Sequence, residues 1–132
     1  MQSLEIVSNK KLEFINITRQ VQTALTELTF NEGVLFVFIP HTTAGVTINE
    51  SADPSVETDI VKDLSRLVPV LQDYYEHFEG NSASHTMASM VGSSVTIFVE
   101  NGQLVLGRWQ GIFFCEFDGP RNRKVYLQGI HA

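Results

Sequence analysis

Apolar side chains recur at helical spacing in two stretches of the first half of the chain. The stretch TRQVQTALTEL is predicted to form a helix with Thr18 as its N-cap. Its apolar face consists of Val21, Ala24, Leu25 and Leu28. A second helix is predicted to begin at Asp53-Pro54, because aspartate caps helices and proline suits the first helical position. Pro69 ends it, and its apolar stripe consists of Val56, Ile60, Leu64 and Leu67.

A third predicted helix, SASHTMASMV (82–91), consists mostly of small residues and stops at Gly92. Its apolar face consists of Ala83, Met87, Met90 and Val91, whereas Ser82, His85 and Ser89 share a separate polar face. The His85 imidazole is the one large group on that polar face. The pattern fits either the wall of a binding site or a solvent-exposed helix with a glycine at its C-terminus.

The remaining apolar runs are predicted to be strands. Residues 3–8 and 11–16 are expected to form a short strand pair. The continuous apolar run VLFVFI (34–39) indicates a strand covered on both faces, with TAGVTIN (43–49) as its partner.

The second half of the chain has a strand-rich pattern. Asn101-Gly102 lies between SVTIFVE and QLVL and is a strong hairpin signal, because both residues tolerate positive φ. Residues 109–117 and 124–130 are expected to complete a meander. The sum is a single compact α+β domain over residues 1–132, with about three helices packed on a mainly antiparallel sheet.

Charge and composition disfavour several classes of function. A formal net charge of −6 and a pI near 5.1 argue against nucleic-acid and anionic-membrane partners. No apolar run approaches the ~20 residues that cross a bilayer, and the N-terminal residues lack a signal-peptide pattern, so a cytoplasmic location is expected. The single cysteine, Cys115, excludes an internal disulfide and is expected to be packed in its apolar strand.

Three histidines, His41, His77 and His85, interrupt otherwise regular patterns. Neutral imidazole is a common ligand for zinc and similar ions, so a shared metal site is one hypothesis. Because the spacing matches no short metal motif, the fold or neighbouring subunits would have to assemble the site. Three unrelated histidines with local hydrogen bonds are the alternative.

The segment HTTAGVTINE (41–50) carries polar groups at both ends of a predicted strand. Thr42 and Thr43 offer hydroxyls beside the base His41, and Asn49 and Glu50 follow at the other end. A strand reversal would be needed to bring one end near a neighbouring element. Ordinary β-hairpin chemistry is the alternative, since threonine favours strands.

The segment EFDGPRNRK (116–124) has the strongest residue-level case for ligand binding. Asp118-Gly119-Pro120 is predicted to form a tight turn from which Arg121 and Arg123 project, and guanidinium groups suit carboxylate or phosphate. Glu116 lies on a strand face with apolar neighbours and with Gln110, so a buried Glu116 needs a partner such as an arginine. A structural ion pair beside a solvated turn is the alternative.

Several of these motifs, in this order, resemble the YjbQ-like family, small proteins often described as secondary thiamine-phosphate synthase enzymes. The similar segments are HTTAGVTINE, DP, YEHFEGNSASH, MVGSSVTI, NGQLVLGRWQ and EFDGPRNRKV. The resemblance runs from about residue 3 to residue 130 and implies an α+β fold and a homotrimer. One departure is Phe98, which stands where family members usually carry proline.

The resemblance also implies a transferase that joins a pyrimidine pyrophosphate to a thiazole phosphate. The implied catalytic residues are His85, Glu50 and His41. The implied substrate- or anion-binding residues are Thr42, Thr43, Asn49, Asn81, Ser93, Gln110, Glu116, Arg121 and Arg123. Mg²⁺ held by Glu50 or Asp53 would help to bind the pyrophosphate, and His85 would act as a general acid or orient the anion.

Two alternatives stay open beside this transferase. In the first, the protein is a metal-binding trimer or a hydrolase of a small phosphorylated or anionic metabolite, in which His41, His77 and His85 bind a zinc-like divalent ion and the arginines bind the metabolite. In the second, the protein is a non-catalytic trimeric binding module.

Overall fold

The computed structural model describes residues 1–132 and contains eight strands and three helices. In chain order they are β1 (Gln2–Val7), β2 (Glu13–Asn16), α1 (Thr18–Glu27), β3 (Gly33–Phe38), β4 (Ala44–Glu50), α2 (Pro54–Leu67), α3 (Ser82–Val91), β5 (Ser94–Glu100), β6 (Gln103–Leu104), β7 (Gln110–Glu116) and β8 (Asn122–His131). The predicted α+β class, with three helices packed on antiparallel strands, is confirmed. None of these helices is long and apolar enough to span a lipid bilayer.

The strands form two antiparallel sheets, not one. The five-stranded sheet has the order β1-β8-β3-β5-β6, and the three-stranded sheet has the order β2-β7-β4. The predicted pairing of residues 3–8 with 11–16 is wrong, because β1 pairs with β8 and β2 pairs with β7. The predicted partnership of β3 with β4 and the meander of β7 with β8 are wrong for the same reason: in each case the two strands belong to different sheets.

Two hydrophobic cores lie on opposite faces of the three-stranded sheet. The larger core fills the space between the two sheets, where Leu35 and Val37 of β3 meet Val46 of β4 and Phe114 of β7. The smaller core covers the other face, where Phe113 and Cys115 of β7 pack with Ala83 and Met87 of α3. Cys115 is therefore a packed residue, as predicted, and its burial strongly raises the pKa of its thiol.

The outer face of the five-stranded sheet has no layer over it. Phe36 and Phe38 of β3 point outward and are 37% and 46% exposed, so the prediction that β3 is covered on both faces is wrong for one chain. Val34 is in register with Phe98 of β5 and Ile130 of β8, which places three apolar side chains in one row across the sheet.

The local signals at helix and turn boundaries are largely confirmed. Asp53 caps α2 by accepting a hydrogen bond from the Ser55 N–H at 2.9 Å, and this bond lowers the pKa of the Asp53 carboxyl. Asn101 and Gly102, with φ of 52° and 73°, form the turn between β5 and β6. At α1 the cap differs from the prediction, because the Asn16 carboxamide oxygen accepts the Thr18 N–H at 3.0 Å.

The turn after α3 joins this helix to both sheets. Gly92 ends α3 with a φ of 98°, and its carbonyl accepts the Val46 N–H of β4 at 3.1 Å. The Ser93 carbonyl then accepts the Ile39 N–H at 2.8 Å, just beyond β3. A Cβ atom on Gly45 would lie 2.6 Å from the Gly92 oxygen, so this close contact needs glycine at position 45.

Candidate functional site

An ion pair buried where the two sheets meet holds the base of the candidate site. Glu116 ends β7 and Arg123 belongs to β8, and their side chains are 0% and 4% exposed. Arg123 Nε donates to Glu116 Oε1 at 2.9 Å, and Arg123 Nη2 also donates to Glu116 Oε2 and to Thr43 Oγ1. Ser8 Oγ donates to Glu116 Oε1 at 2.6 Å. The expectation that a buried Glu116 takes an arginine partner is confirmed.

Burial alone would raise the pKa of the Glu116 carboxyl. Hydrogen bonds from Arg123, from Ser8 and from the Asp118 N–H outweigh that effect and hold the pKa below its usual value. Glu116 is therefore a carboxylate at neutral pH, and Arg123 is committed to it. The prediction that Arg123 projects from the turn is wrong, because its side chain is buried in this structural ion pair.

An open cleft of about 650 Å³ lies beside this pair, and two of its 13 lining residues are hydrophobic. The lining residues are Phe38, Ile39, Pro40, His41, Thr42, Thr43, His77, Glu79, Asn81, His85, Ser93, Arg121 and Arg123. They come from the end of β3 and the β3–β4 connection, from the segment leading into α3 and α3 itself, from the α3–β5 turn, and from the residues at the start of β8. Most of the predicted site residues therefore converge on one surface.

His41 has a defined hydrogen-bonding state. Its Nε2 atom accepts the Lys124 N–H at 2.9 Å, so Nε2 is unprotonated and the neutral ring carries its proton on Nδ1. Burial, together with the nearby Arg123 charge, holds the pKa of His41 below its ordinary value of 6.5. At neutral pH the free ring nitrogen of His41 is therefore a hydrogen-bond donor.

His77 and His85 also line the cleft and lie next to each other. Their ring centroids are 5.4 Å apart and the rings meet edge to face. His77 Nε2 lies 3.9 Å from Glu79 Oε2. No three His, Cys, Asp or Glu side chains converge in a geometry that would hold a metal ion, so the three-histidine metal site stays a prediction.

Asp118 connects three elements at the rim of the cleft. Its carboxylate accepts hydrogen bonds from Lys11 Nζ at 2.6 Å, from Arg121 Nη2 at 2.7 Å and from Asn81 Nδ2 at 2.9 Å. Burial would raise the pKa of Asp118, but these donors and the Lys11 charge hold it below its usual value. Arg121 is thereby oriented, although its side chain remains half exposed.

The remaining predicted site residues lie at the opposite end of the three-stranded sheet. Ala44 pairs with Glu116 at the cleft end, whereas Glu50 pairs with Gln110 six residues further along. At ~3.3 Å per strand residue the two ends are roughly 20 Å apart. Within one chain, Glu50, Asn49 and Gln110 therefore do not meet His41 or His85.

Local hydrogen bonds account for the polar groups at that far end. Asn49 Oδ1 accepts the Glu50 N–H, and Glu50 Oε2 accepts the Ala52 N–H. Gln110 Oε1 accepts the Gly107 N–H. In a single chain Trp109 is 54% exposed and is not a core residue. The Arg108 guanidinium lies 4.9 Å from the centroid of its ring.

Two residues that support the segments around the cleft are not among the predicted site residues. The sequence predicts only a turn at Asp118, although Asp118 lies between Glu116 and Arg121 in the same motif. Ser84 belongs to a helix of small residues, and its buried hydroxyl donates to the Phe117 carbonyl at 2.6 Å, which fixes α3 to the end of β7. The small polar residues on the buried face of α3 are the sequence signal for this contact.

Comparisons with known proteins extend over nearly the whole chain. The model of the family described as "UPF0047 protein YjbQ-like" matches residues 2–132. The UPF0047 protein YugU of Bacillus subtilis is 46% identical, with 97% of each chain covered, and a UPF0047 protein of Methanocaldococcus jannaschii is 48% identical, with 96% and 91% covered. A crystal structure of an uncharacterised YjbQ/UPF0047 protein from Clostridium acetobutylicum superposes with a TM-score of 0.95 at 48% identity, covering 98% of this chain and 100% of the other.

These relatives correct the activity that the resemblance implied. They are described only as UPF0047 proteins or as uncharacterised, and thiamine-phosphate synthase is a different family. The expectation of a transferase joining a pyrimidine pyrophosphate to a thiazole phosphate is therefore wrong.

Breaking the buried ion pair is expected to destabilise the fold strongly. Arg123→Met leaves the Glu116 carboxylate buried without its cation, and we expect the free energy of unfolding to fall by about 3–5 kcal/mol. Urea denaturation at pH 7.5 measures this change. Lys11→Met removes a half-exposed partner of Asp118 and should cost less than about 1 kcal/mol. Equal losses of unfolding free energy in the two variants would contradict the conclusion that the buried Glu116–Arg123 pair matters more to the fold than the exposed Lys11–Asp118 pair.

Protonation of His41 is expected to destabilise the protein. Because its pKa is lower in the folded chain than its ordinary value of 6.5, the unfolded chain binds the proton more readily in acid. The stabilising contribution of neutral His41 is therefore complete above pH 6.5 and is lost as the pH falls below that value. Urea denaturation between pH 7.5 and 5.5 should show a shallower decline in His41→Gln than in the parent or in Thr42→Ala. The interpretation fails if the stability of His41→Gln declines with falling pH as steeply as that of the parent protein.

Proposed function

The chain belongs to the UPF0047 YjbQ-like family, and we propose that its polar cleft binds a small phosphorylated or anionic metabolite. The observation that carries this proposal is the surplus of hydrogen-bond donors that line the cleft. A volume of about 650 Å³ suits a small molecule, and the polar lining suits a charged one.

Arg121 is the principal donor. Its Nε–H donates to the Asp118 backbone carbonyl, and its Nη2 donates to the Asp118 carboxylate. The guanidinium has five N–H donors in total. The remaining donors are available to an anion, and the half-exposed side chain can be reached from solvent.

Neutral donors supplement this charge. The Nδ1–H of His41 is free, because Lys124 occupies Nε2, and the Thr42 hydroxyl is exposed beside it. The start of α3 adds the favourable end of a helix dipole, and Asn81 makes no side-chain cap there. Together these groups favour a phosphate or carboxylate over an apolar ligand.

Assembly into a homotrimer is the second part of the proposal. The outer face of the five-stranded sheet exposes Phe36, Phe38, Phe98 and Ile130, and contiguous apolar surface of this kind marks interaction sites. Phe38 also lines the cleft. A second copy covering this face would therefore close one wall of the binding site.

Anion binding is tested with pyrophosphate as the probe, by calorimetry at low ionic strength. We expect Arg121→Gln to weaken binding by about 10-fold or more, since hydrogen bonds to charged groups contribute ~1.5–3 kcal/mol. Arg108→Gln removes an equal charge beside Trp109, away from the cleft, and should leave the affinity within about twofold. Absence of pyrophosphate binding, or equal weakening by the two substitutions, would reject the proposed site.

Assembly is tested by light scattering after size-exclusion chromatography. Phe98→Asp places a charge on the exposed sheet face and should reduce the trimer mass towards that of one chain. Leu71→Asp, at a still more exposed apolar position outside the sheet, should leave the mass unchanged. A parent protein with the mass of one chain would refute the homotrimer.

A further inference from the structure

Two of the three carboxylates at the cleft are compensated by cationic side chains. Glu116 forms the buried ion pair with Arg123. Asp118 accepts hydrogen bonds from Lys11 at 2.6 Å and from Arg121 at 2.7 Å. Among the lining residues and the ion pairs that they join, three cations thus face these two carboxylates, which leaves one positive charge over.

Glu79 is the third carboxylate, and no Lys or Arg nitrogen lies within 4 Å of it. Its one close ionic neighbour is His77, whose Nε2 atom lies 3.9 Å from Glu79 Oε2. The Glu79 side chain lines the cleft and is 56% exposed. Its charge cancels the remaining positive charge, so the cleft carries as many carboxylates as Lys and Arg side chains.

The cleft therefore combines a surplus of hydrogen-bond donors with a balanced charge. The free N–H groups of Arg121 and the Nδ1–H of His41 can bind the oxygens of an anion. Each further negative charge on the ligand is repelled by Glu79, and no unpaired cation of the lining offsets this repulsion. Like charges brought together at a binding site disfavour the wrong ligand.

Resting on the proposed anion site, we propose that Glu79 determines which anions the cleft accepts. It selects ligands of low charge, such as a carboxylate or a phosphate monoester, over pyrophosphates and longer polyphosphates. Arg121 contributes affinity and Glu79 contributes discrimination, so the two effects belong to different side chains and can be removed separately.

The test is calorimetric titration with inorganic phosphate and with tripolyphosphate at pH 7.5 and low ionic strength. Glu79→Gln removes the charge and keeps the size of the side chain. We expect the affinity to rise by about twofold for each negative charge on the probe, as for charges that interact through water. The gain is then about fourfold for phosphate and more than about tenfold for tripolyphosphate.

Matched variants separate the local charge from the charge of the whole protein. Glu27→Gln removes an equal charge at an exposed position of α1, outside the cleft, and should change both affinities by less than about 1.5-fold. Glu79→Asp keeps the carboxylate and should keep the parent's ratio of the two affinities. Added salt should reduce the gain in Glu79→Gln, because ions screen exposed charges.

A merely structural role for Glu79 predicts a different result. Loss of its contact with His77 would change the affinities of both probes by the same factor, because such a change does not depend on the charge of the probe. His77→Gln removes that contact and leaves the carboxylate in place, so it should keep the parent's ratio. Both side chains are partly exposed, and we expect both variants to fold.

A gain in Glu79→Gln that is absent, or equal for the two probes, would overturn the inference and leave the anion site standing. Arg121→Gln still reports on that site, since it should weaken phosphate binding whether or not Glu79 discriminates. Absence of phosphate and pyrophosphate binding in the parent and in Glu79→Gln alike would instead remove the proposed function itself.

Discussion

The buried pair of Glu116 and Arg123 is the constraint on which the junction of the two sheets depends. A carboxylate without solvent needs donors, and the chain supplies them from three separate segments: Arg123 of β8, Ser8 after β1 and the Asp118 N–H after β7. Arg123 in turn donates to Thr43 at the entrance to β4. Strands of both sheets are thus connected through one pair of charges, and the floor of the cleft forms where they meet. Hydrogen bonds hold the side chains of this floor in place before any ligand binds, and a preformed site of this kind favours binding.

Much of the fold follows from local signals in the sequence. Helix α3 has the limits that its small residues and Gly92 predict, and Asp53-Pro54 and Asn101-Gly102 mark the predicted boundaries. Strand pairing could not be obtained in the same way. Neighbouring strands in a chain usually pair, but β3 and β4 are separated into different sheets because Pro40 to Thr43 carry the chain from one sheet to the other. Hydrophobic runs indicate which residues are buried, and they do not identify the strand that lies alongside.

The candidate site likewise combines features that the sequence predicts with features that depend on the fold. One cleft is lined by the residues that the resemblance marks, namely His41, Thr42, Thr43, His77, Asn81, His85, Ser93 and Arg121. Their individual roles depend on hydrogen bonds between residues distant in sequence. The Lys124 N–H sets the tautomer of His41, and Asp118 sets the orientation of the Asn81 amide. Arg121 and Arg123 look equivalent in the motif, but Arg121 precedes β8 and is exposed at the rim, whereas Arg123 lies within β8 and is buried.

The contact between Gly45 and Gly92 limits how this cleft can diverge among proteins of the same fold. A larger residue at position 45 would displace the Gly92 carbonyl and the following Ser93 from their hydrogen bonds to β4 and Ile39. The inner wall is therefore coupled to the packing of both sheets and cannot be remodelled alone. Thr42, Glu79 and Arg121 are exposed at the rim and carry no such coupling to the core. New ligand preferences would arise at these rim positions first, by substitutions that the scaffold tolerates.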